Sequence, residues 1–179
     1  MGQYYQPVIE MDGKITVYNR DIDGEYTMAK LTEHSWWKNP LMIAISEMFY
    51  QKQGRLIWCG DYAEDDEVRY TNMTVKEIWD KGIGVKSTDF NFDNLYLCNH
   101  ERKQYLDLAK YKKKSTDKDG WCLHPLSLLT AVGNGRGGGD YHDCYPNFNK
   151  IGIWAWDMIS LEETIPEGYV EFNVVFKER

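Results

Sequence analysis

The sequence is organised around residues 121–145, which read WCLHPLSLLTAVGNGRGGGDYHDCY. Five of the 15 glycines of the chain fall within this stretch, between Gly133 and Gly139. Glycine loses more conformational entropy on folding than any other residue, so a dense cluster indicates a backbone that turns sharply or approaches another group closely. The sequence leaves two interpretations open, a ligand-binding loop and a structural loop that packs on the rest of the fold.

The segment before the glycines predicts a short helix over residues 126–132. Pro125 suits a helix start, and Gly133 suits the position that ends one. The spacing Gly133-x-Gly135-x-x-Gly138 has no predicted strand before it, so it is not a dinucleotide fingerprint, and no Lys-Ser/Thr pair follows it as in a P-loop. Arg136 and the loop amides nevertheless form a candidate anion site, which comprises Asn134, Gly135, Arg136, Gly137, Asp140 and His142.

Outward from this stretch, the pattern predicts one α+β domain over residues 1–179. We expect a mainly antiparallel sheet of about six strands, with two or three helices. Asp12-Gly13 predicts a hairpin between residues 3–10 and 14–20, and Pro7 predicts that its first strand lies at a sheet edge. The other strand candidates are 55–60, 94–99, 102–108, 150–161 and 168–176. Residues 94–99 and 102–108 are expected to form a hairpin. Residues 150–161 and 168–176 are expected to pair antiparallel through a short turn.

The strongest helix signal covers residues 40–52. Asn39 suits the N-cap, Pro40 suits the first turn, and Gly54 suits the end. One apolar face is predicted, made of Trp37, Leu41, Ala44, Ile45, Met48 and Phe49. A capping box at Thr74 and Glu77 predicts a second helix over 75–81 that ends at Gly82.

Charge and tryptophan placement suggest protein binding. The acidic run 61–67 and the basic run 110–114 are both predicted to be solvated loops. The net charge of −7 argues against non-specific binding to nucleic acid or to an anionic membrane, and it leaves a basic protein partner open. Two adjacent tryptophans cannot easily share one buried face, which leaves two interpretations open: one ring is exposed at an interface or stacking platform, or both rings cover the edge of the core. Candidate partner-binding residues are therefore Trp36, Trp37, Asp65, Asp66 and Glu67.

No metal, cofactor or catalytic residue is predicted. Three Cys/His pairs have one intervening residue each, whereas structural zinc sites have wider spacing. The pairs are Cys98–His100, Cys122–His124 and His142–Cys144. Asp140 and His142 are the minimum for acid–base chemistry, but no nucleophile motif accompanies them. No long apolar run and no secretory signal are seen, so we expect a cytoplasmic protein.

Four stretches carry a resemblance: residues 1–5 (MGQYY), 33–36 (EHSW), 60–63 (GDYA) and 124–141. In these stretches the chain resembles a group of short uncharacterised phage and prophage proteins of gut bacteria. The resemblance implies an accessory role in a bacterial host, of the kind filled by anti-CRISPR and other anti-defence proteins. It carries over no catalytic residues.

These observations lead to two hypotheses. The first is a small acidic phage-type protein that binds and inhibits a host defence or nucleic-acid-handling protein, such as a nuclease. The alternative is a nucleotide- or phosphoester-binding protein, or a hydrolase, that uses the loop Gly133–Gly139 to hold a small phosphate-bearing ligand.

Overall fold

The computed structural model describes residues 1–22, 25–27, 29–86 and 88–177. Within these residues, ten strands join in one mixed sheet. The strands are β1 Tyr5–Met11, β2 Lys14–Ile22, β3 Glu25–Thr27, β4 Gly54–Gly60, β5 Ile83–Val85, β6 Tyr96–Asn99, β7 Gln104–Asp107, β8 Ala131–Val132, β9 Met158–Glu162 and β10 Val170–Glu171. The helices are α1 Leu31–His34, α2 Pro40–Met48, α3 Val75–Asp80, α4 Leu108–Ser115 and α5 Pro125–Thr130, with 3₁₀ helices at Asp65–Thr71 and Phe148–Lys150.

The sheet confirms the α+β class but holds more strands and helices than the sequence predicts. Its order is β10-β7-β6-β9-β4-β1-β2-β3, with β5 added to β2 and β8 added to β4. The unpredicted strands β3, β5 and β8 have two or three residues each, too few to show a period in the sequence. Among the described strands, the pairs β10–β7, β2–β5 and β4–β8 are parallel and the other six pairs are antiparallel, so the sheet is mixed with antiparallel pairs in the majority.

The first hairpin is confirmed, whereas the edge position predicted for its first strand is wrong. β1 lies between β2 and β4. Asp12 and Gly13 both have positive φ, at 53° and 76°, as a tight hairpin turn requires. Proline has no backbone N–H to donate to a neighbouring strand. Pro7 is tolerated inside the sheet because the pairing of β1 with β2 starts only at Val8, so no residue of β2 lacks a hydrogen bond there.

Helix α2 begins as predicted and ends earlier than predicted. The Asn39 side chain accepts a hydrogen bond from the amide of Leu41 at 2.8 Å, and Pro40 occupies the first turn. The helix ends at Met48 rather than at residue 52, because the chain turns at Gln51 with φ of 52° and Gly54 already belongs to β4. The capping box at Thr74 and Glu77 is confirmed, with α3 ending one residue before its predicted end.

Both faces of the sheet are covered, and β4 contributes to both. Leu56 and Trp58 are fully buried in the main core, on the side of α2 and α5. Ile57 and Cys59 are buried in a smaller cluster, together with Val68 of the 3₁₀ helix and Ile78 of α3. Alternating burial on opposite faces explains why the strand reads as a continuous apolar run.

Two predicted charged loops are helical. The acidic run 61–67 enters the 3₁₀ helix Asp65–Thr71, which Glu64 and Glu67 start with a capping box. The basic run 110–114 lies inside α4, whose N-cap is Asp107. Buried residues at 108, 111 and 115 hold α4 against the core, and the lysines between them conceal this spacing in the sequence.

The predicted C-terminal hairpin is wrong. Residues 151–157 form turns, and the strand β9 starts only at Met158. The amides of Gly152 and Trp154 donate to carbonyls of α5, at 2.9 and 2.8 Å, and the amide of Trp156 donates to the carbonyl of Leu56 in β4 at 2.8 Å, so the segment is not bonded along one strand. Trp156 has φ of 63°, so the backbone there is not extended as the predicted strand over residues 150–161 requires. Of the predicted strand 168–176, only β10 forms, and it pairs parallel with β7. The hairpin of β6 and β7 is confirmed.

Candidate functional site

The glycine loop leaves a strand, not a helix. Helix α5 ends at Thr130, and Ala131 and Val132 form β8 on the edge of β4. The predicted helix over 126–132 is therefore too long by two residues, and Gly133, with φ of 84°, begins the loop instead of ending a helix. The next helix among the described residues is the 3₁₀ turn at Phe148, so no helix N-terminus faces the loop as a dinucleotide fingerprint requires.

The loop wraps around its own carboxylate. Oδ2 of Asp140 accepts hydrogen bonds from the amides of Gly135, Arg136 and Gly137, at 2.7, 2.7 and 2.9 Å. Oδ1 accepts from the hydroxyl of Tyr5 at 2.6 Å, and burial together with this carboxylate raises the pKa of Tyr5 well above its usual value. Asp140 is buried. Successive backbone amides of this kind form an anion-binding concavity, and here the anion is a side chain of the loop itself.

Arg136 is also engaged within the chain. Its Nη1 donates to Oε2 of Glu67 at 2.6 Å and to the carbonyl of Tyr62 at 2.7 Å. Oε1 of Glu67 accepts from the amide of Gly133 at 3.3 Å. The guanidinium and the amides of residues 135–137, on which the nucleotide hypothesis depends, therefore have partners in the protein.

Close packing accounts for Gly133 and Gly137. A Cβ on Gly133 would lie 2.9 Å from the backbone of Ala63, and one on Gly137 would lie 2.6 Å from Cβ of Gln3. The amide of Gln3 donates to the carbonyl of Gly138 at 2.7 Å, so the first residues of the chain run beside the loop. No side chain fits between these segments.

Residues 1–5, 60–63 and 124–141 meet around this loop. Residues 1–5 pair with it, residues 60–63 contact Gly133 and Arg136, and residues 124–141 include it. Thr32, one residue before the stretch 33–36, donates from its amide and its hydroxyl to the carbonyl of Gly139, at 2.9 and 3.1 Å. The glycine loop thus fixes α1, the segment that leads to Trp36.

The three acidic candidates have structural partners. Oδ1 of Asp65 accepts from the amide of Val75 at 2.8 Å, at the start of α3. Asp66 pairs with Arg69 at 3.0 Å, and Glu67 pairs with Arg136. Asp65 and Asp66 remain exposed, so their charge still faces solvent.

His142 and His100, two members of the Cys/His pairs, have different surroundings. His142 is exposed with its ring near Tyr145, and no hydrogen bond in the described part of the chain joins it to buried Asp140. His100 contacts the hydroxyls of Tyr169 and Ser160, each at 2.7 Å. Across residues 1–22, 25–27, 29–86 and 88–177, no three His, Cys, Asp or Glu residues form a group that could hold a metal ion.

The two adjacent tryptophans have different surroundings. Trp37 is buried, and its Nε1 donates to Oδ1 of Asp93 at 2.6 Å while its ring stacks on Tyr111. Trp36 is half-buried, and its ring meets that of Trp121 edge-on, with centroids 6.0 Å apart and planes at 88°. Trp121 has 61% of its surface exposed. We call Trp36 and Trp121 the tryptophan platform.

Backbone hydrogen bonds hold the platform in place. Trp36 forms an isolated antiparallel bridge with Leu123, and the amide of Trp37 donates to the carbonyl of Cys122 at 2.7 Å. Oδ1 of Asp117 accepts from the amide of Trp121 at 2.8 Å, which closes the turn before it. The two rings therefore sit on segments that are bonded directly to each other.

A groove lies on each side of the platform, and both grooves share Trp36, Trp121 and Cys122. The smaller groove, of about 90 Å³, is also lined by Thr32, Asp117 and Lys177. The larger, of about 470 Å³, is also lined by Trp37, Lys38 and Lys112.

Trp121 is the residue that sequence reasoning missed. The signal available was its position directly after the polar run Asp117-Lys118-Asp119-Gly120, which places a large ring at the end of an exposed turn.

Comparisons with protein families, with curated proteins and with solved structures find no match to this chain. Among the described helices, none has the length and apolar character needed to cross a lipid bilayer. Functional inference therefore depends on the geometry of the site.

Proposed function

We propose that this protein is a binding protein whose partner docks on the tryptophan platform. The observation that carries the proposal is the exposure of Trp121, at 61%, on a segment fixed by backbone hydrogen bonds to Trp36 and its neighbours. Tryptophan is enriched among the residues that dominate binding energy, because it buries a large area at a small entropic cost. Folding leaves this area uncovered, so it is available to a partner.

The partner that we propose is a host defence or nucleic-acid-handling protein, in the cytoplasm of a bacterium that carries the phage or prophage. The resemblance to phage and prophage proteins supports this identity, and so does the net charge of −7, which disfavours direct binding to nucleic acid. The proposed action is inhibition by occupancy, without a reaction at the site.

The occupied glycine loop favours this function over nucleotide binding. The amides of residues 135–137 donate to Asp140, and Arg136 pairs with Glu67. An incoming phosphate would have to displace both carboxylates, one of which is buried among four hydrogen bonds. No observation favours a second function at this loop.

The test is a plaque assay in bacteria that carry a restriction or CRISPR system able to block a phage. Expression of the protein is expected to restore plaque formation against at least one such system. Trp121→Ala should abolish the effect, and Tyr70→Ala should retain it. Tyr70 is the matched control because it is also an exposed aromatic, at 54%, but lies on the 3₁₀ helix away from the platform.

Both variants are checked for folding by circular dichroism before the assay. Failure to restore plaques against any of the systems would overturn the proposed inhibition. Full activity of Trp121→Ala would show that the platform is not the interface.

A further inference from the structure

We propose that Asn134-Gly135 is a self-modification site, at which the Asn134 side chain closes to a succinimide and then hydrolyses. The folded glycine loop holds this site closed, and the reaction, once it occurs, loosens the loop. Asn134-Gly135 is the only Asn-Gly pair in the sequence. The inference does not depend on the proposed function, because it concerns the chemistry of the loop itself.

The reaction needs water and no other reagent. The backbone nitrogen of Gly135 bonds to Cγ of Asn134, and the bond between Cγ and Nδ2 breaks. The proton lost from the backbone nitrogen leaves with Nδ2 as ammonia. Water then opens the ring at either of its two carbonyls, which leaves aspartate or isoaspartate at position 134. No electrons are transferred in either step.

The residue after the asparagine favours ring closure. A side chain at this position would hinder the approach of the backbone nitrogen to Cγ, and glycine has none. Gly135 is exposed, and a Cβ added to it would meet no other atom within 4 Å. The space beside the reacting nitrogen is therefore open.

Hydrogen bonds to both reacting groups oppose ring closure in the folded loop. The amide of Gly135 donates to Oδ2 of Asp140 at 2.7 Å, so this nitrogen keeps its proton and faces the carboxylate. The backbone of Tyr141 holds the Asn134 side chain at both ends. Nδ2 donates to the Tyr141 carbonyl at 2.9 Å, and Oδ1 accepts from the Tyr141 amide at 2.8 Å. We call these three hydrogen bonds the loop lock, since all three must break before the nitrogen reaches Cγ.

Hydrolysis removes part of the loop lock permanently. A carboxylate accepts hydrogen bonds but cannot donate one, so an aspartate at position 134 loses the bond to the Tyr141 carbonyl and places negative charge beside that oxygen. The amides of Gln3 and Thr32 donate to carbonyls of the same loop, at 2.7 and 2.9 Å. Loosening of the loop therefore extends to the N-terminal residues and to α1.

The first experiment follows the mass of the tryptic peptide 119–136, in which Asn134 carries the only side-chain amide. Replacement of its NH2 by OH raises the mass of this peptide. The full chain is incubated in mildly alkaline buffer, both folded and in urea, and a sample digested without incubation gives the background. The folded protein is expected to react at least about tenfold more slowly than the unfolded chain, as for a loop that is open no more than about a tenth of the time.

Three variants test the loop lock. Asp140→Asn removes the charge that the Gly135 amide faces, and it should speed the reaction of the folded protein by about fivefold. Tyr5→Phe removes only the hydroxyl that donates to Oδ1 of Asp140, and it should speed the reaction by about twofold or more. Tyr111→Phe is the matched control, because it removes an equally buried hydroxyl, which donates to the carbonyl of Leu123 at 2.8 Å, and it should leave the rate unchanged.

The second experiment measures the consequence of the modification by hydrogen exchange. Asn134→Asp stands in for the aspartate product. The amides of Gln3 and Thr32 are expected to exchange at least about fivefold faster in this variant than in the native protein. Asn94→Asp makes the same change of amide to acid in the exposed turn before β6, and it should leave both amides protected.

Each part of the inference can fail. Equal rates in the folded and the urea-unfolded chain would show that the fold does not close the site, and absence of reaction in urea would show that the pair is not reactive. Circular dichroism checks each variant; if Asp140→Asn does not fold, Tyr5→Phe decides, and a rate equal to that of Tyr111→Phe would overturn the loop lock. Unchanged exchange in Asn134→Asp would overturn the loosening of the loop.

Discussion

Acid should destabilise this protein through His124, which the fold keeps neutral. His124 is fully buried, and its Nδ1 accepts a hydrogen bond from the amide of Leu126 at 3.1 Å, as the N-cap of α5. Its ring meets Phe92 edge-on, with centroids 4.6 Å apart, and lies 5.1 Å from the ring of Trp37. Burial lowers the pKa of His124 from 6.5 to about 3, against a smaller opposing effect of Asp93.

The sign and size of the effect follow from proton linkage. In the unfolded chain the pKa of His124 returns to 6.5, so below that pH the unfolded state binds a proton that the folded state does not. Stability is therefore lost as the pH falls from 6.5 towards 3. At about pH 5 the loss attributable to His124 amounts to about 2 kcal/mol of unfolding free energy.

Urea denaturation at about pH 7 and about pH 5 measures this loss. His124→Asn is the informative variant, because asparagine retains an oxygen that can cap α5 but does not titrate. Other groups also respond to acid, so the comparison between the two proteins isolates His124. The native protein should lose about 2 kcal/mol more than the variant over this interval. An equal loss in both proteins would refute the argument that burial keeps His124 neutral.

Three further predictions concern the core, the glycine loop and metal content. Ile45→Ala should lower the unfolding free energy by about 2–5 kcal/mol in urea denaturation, because Ile45 is fully buried on α2; a loss below about 1 kcal/mol would contradict its place in the core. Nucleotides should produce no thermal shift, because Arg136 and the loop amides are engaged; a shift in the native protein that disappears in Arg136→Ala would favour the nucleotide hypothesis instead. Elemental analysis should find well below one zinc per chain, and a stoichiometric amount would require ligands to be sought again.

Local signals in the sequence predict the elements whose cause is local. The turn at Asp12-Gly13, the cap of α2 at Asn39 and the capping box at Thr74 each depend on residues within four positions of one another. The structure confirms all three. In contrast, the prediction of helix ends fails where a strand competes for the same residues. Ala131, for example, pairs with β4 as part of β8 instead of extending α5.

The site depends on contacts that no local pattern encodes. The glycines indicate a backbone that turns sharply. The sequence does not show that the loop amides surround Asp140, because this depends on the direction of the Asp140 side chain and on the hydroxyl of Tyr5, which is far away in sequence. Likewise, the edge-on pair of Trp36 and Trp121 joins residues from separate segments. The sequence identifies Trp36 as a candidate because a tryptophan follows it, whereas the signal for Trp121 is only the polar run before it.

The glycine loop also bears on the order in which the chain assembles during synthesis. Gln3 and Tyr5 are synthesised before their partners at Gly133 and Asp140, which lie more than 120 positions later. Strand β1 can pair with β2 as soon as both leave the ribosome, whereas the contacts of Gln3 and Tyr5 with the glycine loop must wait until residues 133–140 have been made. Contacts of such long sequence separation close slowly and leave the early segments exposed in the meantime. Folding of residues 3–5 is thus coupled to synthesis of the glycine loop, residues 133–140.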